Sequence, residues 1–107
     1  MVAHLDSMLR HERQKIVEAI LIKARSLIDK PQKWCAYWFE SDDGRRLGAD
    51  GAVWRVAGFN TDESRQAIHA LAEQSGSNPI WDDPSRVIYL GTHKEVMAMF
   101  DKAISEQ

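Results

Sequence analysis

The stretch KWCAYWFESDDGRRLG, residues 33–48, decides the fold class. Its first half, Lys33 to Glu40, is short and rich in aromatics, which favours a strand over a helix. SDDG then supplies an Asp-Gly turn signal, and Arg45 to Leu47 begins a returning strand, so a β-hairpin is predicted over 33–48. On a strand, Trp34, Ala36 and Trp38 share one face, and Cys35, Tyr37 and Phe39 share the other. Both faces are apolar, so the strand is expected to be covered on both sides.

Helices are predicted on either side. Val17, Ile20, Leu21, Ala24 and Ile28 recur at helical spacing, with Leu5, Leu9 and Ile16 on a looser continuation, which predicts a long helix over 6–29. Arg25 and Lys30 suit its C-terminal end, and Pro31 stops it. The stretch 50–58 reads as a short helix rather than a strand, closed by Gly58. Asn60 can cap a following helix over 61–75, with Glu63 placed to reach back, and Ala67, Ile68, Leu71 and Ala72 form its buried stripe. SNPIWDDPSR is turn-rich, and RVIYL predicts a further short strand. Thr92 and Glu95 form a capping box opening a helix over 93–105, with Val96, Met99, Phe100, Ala103 and Ile104 on one face. The expected fold is α+β: a small single domain over 1–107, dominated by helices, with a short β-hairpin or small antiparallel sheet.

The 107 residues carry a formal net charge of −2, which argues against a general nucleic-acid binder. The charge is uneven: ten Lys/Arg stand against seven Asp/Glu from Arg10 to Arg55, and four against eight from Val56 onward. That asymmetry can orient a partner without identifying one. A single cysteine excludes an internal disulfide, and there is neither a signal-peptide core nor an apolar run near the ~18 residues of a membrane span. A soluble cytoplasmic protein is therefore expected, with no membrane partner.

Cys35 is the one candidate nucleophile. A reactive cysteine needs a base and a positive or dipolar setting, and the candidate bases are His69 and His93, with Asp82 or Asp83 as orienting acids. Its neighbours are apolar, however, and free cysteine is among the most buried residue types, so packing is the stronger reading. Asp82 and Asp83 could hold a cation or act as acid and base, but two acids before a proline more often bond turn amides. His4, His11, His69 and His93 lack metal-ligand spacing, and no glycine pattern cradles a phosphate, so neither metal nor cofactor is expected. Arg45, Arg46 and Arg55, with Tyr37, Trp38 and Trp81, form the candidate binding set. Exposed rings beside arginines can stack bases, but arginine and tryptophan are also the residues that dominate protein–protein contacts.

The segments LIKARSLIDKPQKWCAYWFESDDGRRL, Trp54 to Phe59, IWDDPSR and THKEVMAMFDKAI together resemble a family of small uncharacterised bacterial and phage proteins, a domain of unknown function. The resemblance covers most of residues 20–105 and rests on a Trp-Cys step after the first helix and a Trp-Asn/Asp-Asp turn before the last. This chain departs from that pattern at Trp54 to Phe59, where the family carries a second cysteine, and in the extra VIYLG before Thr92. The resemblance implies no activity, only a bacterial cytoplasmic setting.

The expected function is a small non-catalytic protein-interaction or regulatory domain, with a protein partner and a homodimer through the first helix as the self-association to test. The alternative is a small enzyme using Cys35 or Asp82/Asp83 with a histidine. Nucleic-acid binding through the basic hairpin is the weakest of the three.

Overall fold

Four amphipathic helices account for most of the structure, a computed structural model that describes residues 10–35, 40–74 and 92–107. They are α1 (Arg10–Leu27), α2 (Ala49–Ala57), α3 (Asp62–Gln74) and α4 (His93–Ser105), with a 3-10 turn at Pro31–Lys33 after α1. Each helix contributes a stripe to one core: Val17, Leu21, Ala24 and Ile28 from α1, Ala52 and Val53 from α2, Ala67 and Leu71 from α3, and Val96, Phe100 and Ala103 from α4. Phe100 is the largest side chain with no exposure among the described residues. Small residues on the buried turns of α2 (Ala49, Gly51, Ala52) let its backbone approach its neighbours closely.

The chain ends of the helices fix the topology. At the start of α4, the His93 Nε2–H donates to the Ile28 carbonyl at 2.7 Å, just past the end of α1. At the other end, Gln74 of α3 donates to Glu106 after α4 at 3.1 Å. Arg25 reaches Asp101 with Nε at 2.7 Å, adding a surface tie between α1 and α4. Exposed pairs of this kind contribute on the order of 0.5 kcal/mol, so packing rather than charge holds these helices together.

The α+β expectation is overturned. Among the described residues there is no strand or sheet, only two single bridges, and both converge on Leu47: Trp34 pairs with it in parallel and Glu40 in antiparallel. A hairpin needs successive pairs in one direction, whereas here Trp34 and Glu40 both meet the same residue. Three local features explain this. The 3-10 turn takes the amides of Lys33 and Trp34 back to Lys30 and Pro31. The 41–46 turn is closed by its own side chains, since Arg46 N donates to Ser41 Oγ and Arg45 N to Asp43 Oδ1. Such local bonds compete with a ladder. Finally, α2 starts at Ala49, leaving no length for a returning strand after the turn. Residues 36–39 of the predicted first strand, and the predicted strand over RVIYL, lie outside the described residues.

The corner between α2 and α3 carries a second correction. Thr61, not Asn60, caps α3: Ser64 N donates to Thr61 Oγ1 at 3.1 Å, and Thr61 Oγ1 donates back to the Ala57 carbonyl at 2.8 Å. Asn60 instead adopts a left-handed φ of 56°, one of the few residue types that tolerates it. Arg65 grips it through both the Asn60 carbonyl, at 2.8 Å, and the side-chain Oδ1, at 3.1 Å. Gly58 ends α2 at φ 92°, ψ 152°, a region almost closed to other residues. The capping box at α4 has both of its bonds: Glu95 N donates to Thr92 Oγ1, and Thr92 N donates to the Glu95 carboxylate.

Candidate functional site

Cys35 lies half-buried just after the 3-10 turn, where its amide donates to the Leu47 carbonyl at 3.1 Å. Its thiol points at the Arg46 carbonyl, 3.7 Å away. Burial is the main cause that pushes the thiol above its ordinary value, the Asp50 carboxylate adds to it, Arg46 opposes it, and Glu40 raises it slightly further. A nucleophilic cysteine needs the opposite balance. The site disfavours the thiolate.

Asp50 is a feature that reading the sequence missed. It occupies the first turn of α2 with no solvent exposure, and its Oδ1 accepts the Gly51 amide at 2.9 Å. A carboxylate at a helix N-terminus meets the positive end of the helix dipole, which offsets part of its burial. The short helix predicted over 50–58 begins close to the observed start, but nothing local signalled that the start would be inside the core.

The two candidate bases sit in different places. His93 gives its bond to the Ile28 carbonyl and packs its ring against Trp34, with centroids 5.7 Å apart. It joins two helix ends. His69 is exposed on α3, beside an open groove between α1 and α3 that Arg13, Gln66 and Glu73 also line. Among the described residues, the charges of Asp50, Arg46 and Glu40 act on the Cys35 thiol. Asp82 and Asp83 lie outside the described residues. Among the described residues no group of three or more His, Cys, Asp and Glu side chains could hold a metal ion.

Of the candidate binding residues, Arg45 and Arg46 are exposed on the 41–46 turn, and Arg55 is exposed on α2. Glu40 connects the two places, bridging to Leu47 and pairing with Arg55 at 3.5 Å. Gly44, at φ 72°, turns the chain directly over the Glu40 carboxylate. Tyr37, Trp38 and Trp81 lie outside the described residues.

The more informative surface feature is Phe59. It is 74% exposed, although its ring meets Trp54 edge-on at 4.8 Å. The corner that presents it is held on both sides, by Gly58 in its glycine-only conformation and by Asn60 under Arg65. Among the described residues, Ile22, half exposed on α1, is the other large apolar side chain left outside. Phe59 follows the glycine that closes a helix, and that position is the one sequence signal that it leaves the helical face.

Compared with known proteins, the chain matches a family of unknown function (DUF6197) over residues 12–106, from the first turn of α1 to the residue after α4. No curated protein and no solved structure matches it. Among the described residues, no helix is long and apolar enough to cross a membrane.

Proposed function

Because the chain belongs to DUF6197, a family of unknown function, we propose a role from its own surface: a small non-catalytic protein-interaction domain of the bacterial cytoplasm. The observation that carries this reading is Phe59, an exposed ring on a corner already fixed in place. Binding energy at protein interfaces concentrates in a few large side chains that enter pockets on the partner. A rigid presenter lowers the ordering cost of making that contact. The cost of holding Gly58 and Asn60 at positive φ is on the order of 1–3 kcal/mol per strained position for residues less tolerant than these, and glycine and asparagine keep it small. Arg45, Arg46 and Arg55 then supply polar contacts and steering around the ring.

The test is capture from a bacterial lysate with wild-type protein and two variants, Phe59→Ala and Arg45→Ala/Arg46→Ala. The expected result is a partner held by the wild type, lost with Phe59→Ala, and held more weakly and with a shallower salt dependence by Arg45→Ala/Arg46→Ala than by the wild type. Equal capture by wild type and Phe59→Ala overturns the role given to Phe59, and no retained protein at any concentration overturns the interaction reading as a whole. Self-association is checked separately by sedimentation over a range of concentrations, with Ile22→Glu as the variant that would abolish a dimer formed through α1. The alternative of a thiol enzyme draws no support from Cys35, whose surroundings disfavour the thiolate.

A further inference from the structure

We draw no further inference here: the strongest candidate, the open groove between α1 and α3 lined by Arg13, Gln66, His69 and Glu73, sets a guanidinium and an imidazole against a carboxylate with none of those side chains buried, and so selects no ligand chemistry.

Discussion

Trp34 and Trp54 each sit at a helix end with a second ring against them, and the two ends differ in what they leave outside. At the first, Trp34 packs partly into the core beside His93, and His93 bonds the residue just past the end of α1 to the first turn of α4. At the second, Trp54 also packs partly into the core, but its companion ring, Phe59, stays three-quarters exposed. The first pair closes a junction between helices distant in sequence. The second sits on a turn between neighbouring helices that Thr61, Asn60 and Arg65 already close without it. An aromatic ring is thus structural where it packs into a junction between distant helices, and available for contact where hydrogen bonds have done the closing.

Truncation should separate the two ends. Trp34→Ala is expected to cost about 2–3 kcal/mol, less than the ~3–5 of a fully buried aromatic because the ring is only partly covered. Urea unfolding with an unchanged slope would measure it. A loss below about 0.5 kcal/mol would show that the α1–α4 junction does not depend on the ring. Gly58→Ala should come next, at about 1–3 kcal/mol, since the new Cβ must adopt a glycine-only conformation. It would also approach Thr61 Cγ2 at 2.9 Å. The same urea series decides this, and an unchanged midpoint would mean the corner can relax, which removes the rigidity assigned to it.

His93→Ala removes one bond to a carbonyl at the end of α1, and a loss of about 1 kcal/mol is expected. Amide exchange gives a sharper reading: protection should fall in the last turn of α1 and the first turn of α4, and remain unchanged around Thr61. Uniform loss of protection would instead mean that the two ends are not separate units. Phe59→Ala sits at the small end for stability, within about 0.5–1.5 kcal/mol for a lost edge contact. Its effect should appear in partner capture, and a large stability loss would place Phe59 with Trp34 as a structural ring.

The helices were legible because their information is local. The apolar spacing of α1, the capping box of Thr92 and Glu95, and the stop at Gly58 all lie within a turn or two of the residues they govern. The segment 33–48 was not, because its aromatic alternation fits a strand equally well when read alone. What decides it is Leu47, which meets both Trp34 and Glu40, and pairings at that separation leave no mark in a period-2 pattern. Asn60 and Thr61 are both competent caps, and only the positive φ at Asn60 assigns the role to Thr61. The apolar neighbours of Cys35 predict burial, and the thiol is half-buried, whereas the burial of the Asp50 carboxyl depends on how α2 docks, which one sequence does not reveal.

The segment that misled the fold reading also makes the smallest prediction, because the two perturbed groups among its described residues shift in opposite senses. Asp43 is held below its ordinary range, first by the Ser41 hydroxyl and then by the Arg45 amide. A carboxyl depressed on folding adds stability above its unfolded value, near 3.9, and that stability fades as pH falls through the lower folded value. Cys35 works in the other sense. Its thiol is raised on folding, so its share is complete below the unfolded value near 8.5 and fades as pH climbs through the higher folded one. Ser41→Ala should therefore flatten only the acid limb of a stability–pH curve, and Cys35→Ser or Cys35→Ala only the alkaline limb. Thiol labelling offers the independent check: native Cys35 should react more slowly than denatured Cys35 throughout the neutral range. Faster native labelling would mean an activated thiolate, and with it the return of the enzyme reading.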